Sequence, residues 1–354
     1  MVRLNSVTQT SSSHKPSFLT LISKKASSLI NLSIFQKKSS KEKTLQTIES
    51  RKISNPNQAL VGQENHPAVK ALLSTNQSTI KLLPTYQDKD LYGASGNPQG
   101  KDINQDGIGD CYFVATLGTV ADQQPATIKK AIQYDSKTGD FTVTLHDKKG
   151  KAVKIKVTQA ELQDNLKRGG GSTVDNNPGT KGPIWPAVME TAYAKMHDKK
   201  PSDGLDQGYQ KIEGGWPKNA MRAITGKEGE VFQVKNSKTK NLDHAYDKIK
   251  EALNNHQGVT LCTKTEKKGM QDGLVDYHAY SVEGIRRDSN GEVIVTLRNP
   301  WGHNSGVGEG KDGTSAVIEV KLKDLVNTKG LSSINIGPAT EKISWEIYQP
   351  VLQS

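Results

Sequence analysis

The chain has 354 residues, 33% of them hydrophobic, and a formal net charge of +11, so it is long enough for two domains but poor in apolar side chains. Residues 1–60 carry ten Lys and Arg against two Asp and Glu, and the rest shows no zinc-finger spacing, RNA-binding signature or recognition-helix pattern. The charge therefore does not indicate a nucleic-acid partner, and the lack of an apolar run of about 18 residues argues against a transmembrane helix.

Residues 1–60 are rich in Ser, Thr, Lys and Asn and poor in aromatic side chains, which predicts a disordered leader. The best apolar run, over 18–22, ends at two lysines and is too short for a secretory signal. The alternative to a solvated tail is a weak amphipathic helix over 18–35 that contacts acidic membranes. Residues 61–100 are predicted to be a transitional segment with several turns.

A first half, 101–205, is predicted to be mainly helical. Thr158 is the predicted N-cap of a helix over 159–168, and Asp147 to Gly150 is the predicted turn of a hairpin. The other elements predicted in this half are helices over 112–121 and 185–197 and hairpin strands over 141–145 and 153–157.

A second half, 206–354, is predicted to be rich in strands, after a turn-dense stretch over 201–208. One helix over 243–254, with Asp243 as its N-cap, precedes the predicted strands 259–263, 277–285, 293–298 and 316–320. Because helices come early and strands come late, the sequence predicts an α+β fold of two subdomains.

Cys111 follows a glycine-containing loop and opens an apolar run. Asp110 is the predicted N-cap, which places Cys111 in the first helical turn, where unpaired amides and the helix dipole favour a thiolate. A buried core cysteine is the alternative interpretation. The only other cysteine is Cys262, so no disulfide framework is indicated and a reducing, cytoplasmic compartment is expected.

His278 and Asn299 lie in two strand-like runs joined by an Asn-Gly turn. A four-residue loop at 288–291 places His278 opposite Trp301, two residues from Asn299, and a bulge would bring the two side chains into contact. A thiolate nucleophile needs an imidazole as base and acid, and the imidazole needs a third group, such as an Asn amide, to orient it. A packed histidine and a turn asparagine beside Pro300 are the ordinary alternatives.

Together these segments resemble the calpain family of papain-like cysteine peptidases over about residues 85–335. The carrying segments are Gln105 six residues before Cys111, Gly109-Asp110-Cys111, Trp185 with Glu190 and 192–195, Gly214-Gly215, His278 to Val282, Leu297 to Gly302, and 312–325.

The resemblance implies a papain-like core with the active site in the cleft between a helical subdomain and a β-rich subdomain. It implies a triad of Cys111, His278 and Asn299, with Gln105 donating to the oxyanion. Gly214 and Gly215 would line the substrate cleft, where a missing side chain admits a peptide backbone. We also expect Trp301 to cover the bond between His278 and Asn299.

Two residues depart from the family pattern, because Tyr112 stands where the family usually has Trp and Tyr277 where it usually has Gly. The second change puts a backbone contact to substrate in doubt. The acidic loops that bind calcium in the animal enzymes are not recognisable and no EF-hand loop is present, so the sequence requires no cofactor and calcium dependence is not assumed.

The resemblance predicts an endopeptidase that makes limited cuts in protein substrates through an acyl-enzyme. A catalytically silent binding scaffold and an acyl transferase with the same triad are the alternatives. The basic, Ser-rich leader suggests a bacterial protein exported into other cells by a non-Sec route, and a plain disordered tail explains the same composition. The sequence gives no oligomeric state.

Overall fold

The computed structural model describes residues 86–174, 182–265, 273–304 and 315–339. The chain divides into two units, 1–78 and 79–354, and every described residue belongs to the second. The predicted leader and most of the transitional segment therefore lie outside the described residues. Within the described ranges, no helix is long and apolar enough to cross a bilayer.

Helices and strands come in runs along the described part of the chain, with short 3-10 helices at 100–102 and 201–203. The α-helices are α1 Asp88–Tyr92, α2 Cys111–Gln123, α3 Pro125–Ala131, α4 Gln159–Lys167, α5 Trp185–His197, α6 Asp206–Ile212, α7 Pro217–Thr225, α8 Thr239–Asn254 and α9 Leu322–Asn327. The strands are β1 Ile132–Tyr134, β2 Phe141–His146, β3 Ala152–Val157, β4 Glu230–Phe232, β5 Val259–Thr263, β6 Ala279–Arg287, β7 Val293–Arg298, β8 Val317–Lys321 and β9 Leu331–Ile336.

The first hydrophobic core surrounds α2 and α5. In α2 every residue from Tyr112 to Ala121 is buried, as expected for a helix that is apolar on all sides and therefore central. A three-stranded antiparallel sheet, in the order β1-β2-β3, contributes buried residues such as Phe141 and Val143 to the same core. The half predicted to be mainly helical therefore also contains a small sheet.

The second core lies on an antiparallel sheet of six strands in the order β4-β9-β5-β6-β7-β8. Its buried members include Tyr280 and Leu297 from the central strands and Ile249 from α8, which packs on the sheet. Strands and helices both occur in the described residues, and the fold is α+β, as predicted.

Several elements have the predicted bounds, including α5, β5 and β7, and Thr158 caps α4 through its hydroxyl, which accepts from the Glu161 amide. The prediction for α8 was wrong at its start, since the helix begins at Thr239. Asp243 lies inside it and pairs with Arg287 of β6 instead of capping.

Helices α6 and α7 were not predicted, because turn signals and short apolar patterns hide them. Proline at the first position of α7 is compatible with a helix start, where no amide partner is needed. Buried Tyr209 and Ile224 from these helices belong to the first core, although they follow residue 205. The division of the chain at 205 stays a prediction.

One face of α2 packs directly against β5 and β6. The Ser281 hydroxyl donates to the Ala115 carbonyl at 2.8 Å, and the Val259 amide donates to the Thr119 hydroxyl at 2.9 Å. Gly118 lies between them, and a Cβ there would be 3.0 Å from the Ser281 hydroxyl. This close approach joins the two cores and fixes α2 against the large sheet.

Thr119→Val tests this joint. Valine keeps the shape of threonine but leaves the buried Val259 amide without its acceptor, so we expect the free energy of unfolding to fall by about 1–3 kcal/mol. Thr119→Ser keeps the hydroxyl and is the matched control, with a smaller loss than the valine variant. Urea unfolding of both variants measures the difference, and equal losses would contradict the role of this hydrogen bond.

Candidate active site

Cys111 lies where the start of a helix meets the start of a strand. It is the first residue of α2, it is half-buried, and the backbone amides of Tyr112 and Ala279 donate to its sulfur. Ala279 is the first residue of β6 and directly follows His278. The backbone that carries His278 therefore runs past the Cys111 thiol.

The thiol does not ionise by itself at neutral pH. Burial raises the pKa of Cys111 to about 12, and the nearby Asp110 carboxyl acts in the same direction. The two amides favour the thiolate, as predicted for a helix N-terminus, but the loss of water outweighs them. The helix start alone therefore does not produce a thiolate, and a base is needed to remove the proton.

His278 and Asn299 are hydrogen-bonded, with 2.9 Å between Nε2 and Oδ1. The backbone amide of Trp301 also donates to this Oδ1, at 3.1 Å. Because an amide N–H only donates, the shared atom must be the side-chain oxygen, and Nε2 of His278 must carry its hydrogen. Neutral His278 then has Nδ1 as its basic nitrogen, which is the tautomer that a thiol base requires.

Hydrogen bonds to the His278 main chain and aromatic contacts to its ring fix the position of this residue. Thr263 of β5 binds the His278 main chain twice, through its hydroxyl at 3.0 Å and its amide at 2.9 Å. The rings of Tyr280 and Trp301 lie 5.0 Å and 4.7 Å from the His278 ring, centroid to centroid. His278 is 3% exposed and Asn299 is fully buried, so little water competes for their hydrogen bond.

The strand pairing explains why both Asn299 and Trp301 reach His278. The pairing nearest the site is Ser281 opposite Arg298, and extending this count beyond the strand ends places His278 opposite Trp301, the pair that the sequence count gave. A bulge between Val282 and Gly284 shifts the register by one residue, so that Arg287 pairs with Val293. The predicted four-residue loop 288–291 was therefore one residue too short, and the bulge lies between the turn and the site.

Gln105 is buried, and its side-chain amide points back to the loop that leads to Cys111. Its Nε2 donates to the Ile108 carbonyl at 2.7 Å and to the Asp110 carboxyl at 3.1 Å. Its own backbone amide donates to the Pro300 carbonyl at 2.7 Å, directly after Asn299. A role as oxyanion donor stays a prediction, and it requires one of these two side-chain bonds to be released.

The two glycines of the predicted cleft have different surroundings. Gly214 has a φ of +70°, nothing lies within 4 Å of an added Cβ, and its amide donates to the Gly109 carbonyl at 2.9 Å. An added Cβ on Gly215 would lie 2.5 Å from the ring of Tyr112. Gly214 therefore leaves open space beside the Cys111 loop, whereas Gly215 is required by the packing of Tyr112.

Exposed aromatic side chains flank these segments. Tyr277, directly before His278, is 71% exposed and has a φ of +53°, a left-handed conformation that suits the glycine usual in the family. Trp216, directly after Gly215, is 54% exposed. Tyr112, which replaces the usual tryptophan, is buried and places its hydroxyl 3.2 Å from that of Tyr193.

Several contributing residues were not singled out from the sequence. Thr263 and Tyr280 support His278, yet a threonine or tyrosine in a strand carries no signal of such a role.

The Asp110 side chain does not cap α2, although Asp110 occupies the N-cap position. It turns inward to Gln105 and to Glu190 of α5.

No group of three or more His, Cys, Asp or Glu side chains that would hold a metal ion occurs among the described residues. Asp102, a buried acid near the Gln105 loop, accepts from the Trp185 indole at 2.9 Å and from the Gln99 amide at 2.9 Å. That carboxylate is committed to the packing of α5 rather than presented to solvent.

A half-buried cysteine at a helix start lies against the strand that follows a histidine, and an asparagine orients that histidine. These are the residue types that a papain-like thiol enzyme uses. The family model of the calpain family cysteine proteases matches residues 85–328, and the chain belongs to this family.

Among curated proteins, rat Calpain-13 is 28% identical over 60% of this chain and 31% of its own length. Human Calpain-14 is 27% identical over 73% of this chain and 37% of its length. A thiol protease from Porphyromonas gingivalis is 26% identical over 68% of this chain and 53% of its length. The matched part thus spans about a third to a half of the length of these three relatives.

A solved recombinant stem bromelain precursor also matches, with a TM-score of 0.26 and 14% identity over 84% of this chain and 98% of that one. A likeness this low adds nothing to the family assignment.

Asn299→Ala tests the orientation of the base without any substrate. Alanine removes the 2.9 Å bond to His278, so we expect alkylation of Cys111 by iodoacetamide at neutral pH to slow by about 2- to 12-fold, the equivalent of one hydrogen bond. The measurement uses a Cys262→Ser background, so that one thiol reacts. His278→Ala is the reference for complete loss of the base, and an unchanged rate in Asn299→Ala would refute the orienting role.

Proposed function

We propose that this chain is a calpain-like cysteine endopeptidase that hydrolyses peptide bonds in protein substrates. The observation that carries the proposal is the buried Asn299–His278 hydrogen bond beside Cys111, with the tautomer that makes Nδ1 the base. Family membership supports the same activity.

In the proposed reaction, Nδ1 of His278 takes the proton of the Cys111 thiol as the sulfur attacks the peptide carbonyl. The raised thiol pKa supports a concerted transfer, because a resting thiolate would be costly in this half-buried position. The imidazolium is stabilised by Asn299 and gives its proton to the leaving amine, which breaks the peptide bond. Water, deprotonated by His278, then hydrolyses the acyl-enzyme and restores the thiol.

Charge develops on the carbonyl oxygen in both halves of this reaction. We assign its stabilisation to the backbone amide of Cys111, at the start of α2, and to the side-chain amide of Gln105. Helix amides and a fixed side-chain donor each lower the barrier by a few kcal/mol in such sites, about 3 kcal/mol for one donor. In this role Gln105 exchanges its bond to Asp110 or Ile108 for one to the oxyanion.

The proposed substrate path runs beside Gly214, where no side chain blocks an extended backbone. Trp216 and Tyr277 are the two exposed aromatic side chains next to the path, so we expect bulky apolar substrate side chains near the scissile bond. Tyr277 takes the place of the family's glycine, which favours a narrower choice of substrates than a glycine would permit.

Cys111→Ala tests the activity. Wild type and variant are incubated with casein and with a peptidyl epoxide, each with and without calcium. We expect casein fragments and labelled protein only with wild type, because the nucleophile is lost in the variant. Cys262→Ala, which removes the buried second thiol, is the matched control and should still cleave.

Other outcomes of this experiment separate the alternatives. Labelling of Cys111 without fragments, together with crosslinked products when an amine is supplied, would identify an acyl transferase. Absence of both labelling and fragments in either calcium condition would refute the proposed peptidase and favour a binding scaffold.

We also propose that residues 1–60 are an export signal that delivers the enzyme into the reducing interior of other cells. Their ten Lys and Arg against two acidic residues, and the two cysteines of the chain, support this only by composition. A reporter fused to residues 1–60 should leave the producing cell. Retention of the reporter would refute the proposal, and a fusion to residues 61–85 is the control.

A further inference from the structure

Two carboxyl groups meet in the core directly behind the nucleophile. Asp110 precedes Cys111, Glu190 lies in the middle of α5, and both are fully buried. The two carboxyl groups interact directly with each other. Two neighbouring negative charges are costly in a buried site, so we expect one of the two groups to be protonated.

The outer oxygens of the pair have defined donors. Glu190 Oε2 accepts from the Asn165 side-chain amide and, at 3.0 Å, from the Gly171 backbone amide. Asp110 Oδ1 accepts from Gln105 Nε2 at 3.1 Å. Within the described part of the chain, the remaining oxygens, Asp110 Oδ2 and Glu190 Oε1, are buried and have no donor. A single hydrogen between the two groups gives both of these oxygens a partner.

The backbone at Gly170 and Gly171 packs closely against the Glu190 side of this pair. A Cβ on Gly170 would lie 2.3 Å from Glu190 Oε2 and 2.4 Å from Asn165 Oδ1, so only glycine fits. The next residue, Gly171, delivers its amide to Glu190, and its carbonyl accepts the Asn104 amide at 3.0 Å, next to Gln105. The loop that ends at Gly171 thus connects Glu190 to the segment that carries Gln105.

We propose that Asp110 and Glu190 share one proton and are positioning residues that set how firmly Gln105 is held away from the oxyanion. This inference rests on the proposed function, since it takes Gln105 to be the oxyanion donor. Their proposed effect on catalysis runs through Gln105. Asp110 also raises the pKa of the adjacent Cys111 thiol, and a Gln105→Ala background separates the two effects.

The position of the negative charge in the pair determines how strongly Asp110 binds the Gln105 side-chain amide. When the proton is on Asp110, the charge is on Glu190, where the Asn165 and Gly171 amides stabilise it. Asp110 then offers Gln105 a neutral oxygen. When the pair loses its proton at high pH, Asp110 becomes a carboxylate, and a charge-assisted bond retains the Gln105 amide. The oxyanion loses its side-chain donor as a result.

The surroundings keep the proton in place near neutral pH. Burial raises the pKa of Asp110 well above its ordinary value, and the neighbouring Glu190 adds to this. Burial also raises the pKa of Glu190, although its three donors oppose the shift. The other titratable groups that act on the pair all have raised pKa values through burial and stay neutral, namely Cys111, Tyr112, Tyr193 and Tyr209.

Two isosteric variants place the same single charge on opposite sides. Asp110→Asn donates to Glu190 and leaves the charge there, so Gln105 faces a neutral oxygen at every pH. Glu190→Gln donates to Asp110 and leaves the charge there, so Gln105 is held at every pH. Because shape and total charge are matched, a merely structural role predicts equal effects in the two variants.

The test is the pH profile of kcat and KM for casein-derived peptide cleavage, from about pH 6 to about pH 10. We expect kcat of wild type to fall at high pH and this fall to be absent in Asp110→Asn. At neutral pH, kcat of Glu190→Gln should be at least about fivefold below kcat of Asp110→Asn, with KM unchanged. In a Gln105→Ala background the difference between the two variants should vanish. Equal profiles for the two variants, or a difference that survives Gln105→Ala, would overturn the positioning role.

A second measurement does not depend on activity. The unfolded chain releases the Asp110 proton above about pH 4, whereas the folded chain retains it. The free energy of unfolding of wild type should therefore decline with rising pH, with the slope that corresponds to about one bound proton. Both variants should lack this slope in urea unfolding. Its presence in the variants, or its absence in wild type, would refute the shared proton, whereas the slope without any turnover would refute the proposed peptidase instead.

Discussion

The contact between α2 and β6 determines the rest of the site. A helix and a strand from two different cores begin at the same place, so that the Ala279 amide reaches the Cys111 sulfur. Polar bonds along the same helix face, from Ala115 and Thr119 to the sheet, hold the two elements at a fixed distance. The relative position of nucleophile and base is therefore set by packing, because Cys111 is the first residue of α2 and His278 directly precedes β6.

This arrangement makes the surroundings of the site dry and its polar groups interdependent. His278, Asn299 and Gln105 are all nearly or fully buried, and His278 Nε2, Asn299 Oδ1 and Gln105 Nε2 each have a named partner, whereas Gln105 Oε1 and Asn299 Nδ2 have none among the described residues. In such surroundings an unpaired group costs more than a paired one contributes, so the network favours one arrangement over all others. The raised thiol pKa follows from the same dryness, which explains why the imidazole rather than the helix amides must activate the sulfur.

Much of this could be predicted from sequence, because periodic and punctuated segments have strong signals. The bounds of α5, β5 and β7, the Thr158 cap and the meeting of His278 with Asn299 follow from apolar patterns, a capping box and an Asn-Gly turn. Helices α6 and α7 are short and lie among glycines and prolines, so local propensity does not reveal them. The inward turn of Asp110 was beyond prediction, since its partner Glu190 is far away in the chain and only the tertiary fold brings them together.

The hydrogen bond from the Gln105 amide to the Pro300 carbonyl has a mechanical consequence. The segment before Cys111 and the turn after Asn299 are fastened to each other, so a displacement of one is transmitted to the other. Any movement that widens the cleft would withdraw the orienting asparagine and disturb the glutamine in the same event. A partial separation of the two segments would leave neither residue in its working position. The site would therefore change between two conformations in one cooperative step.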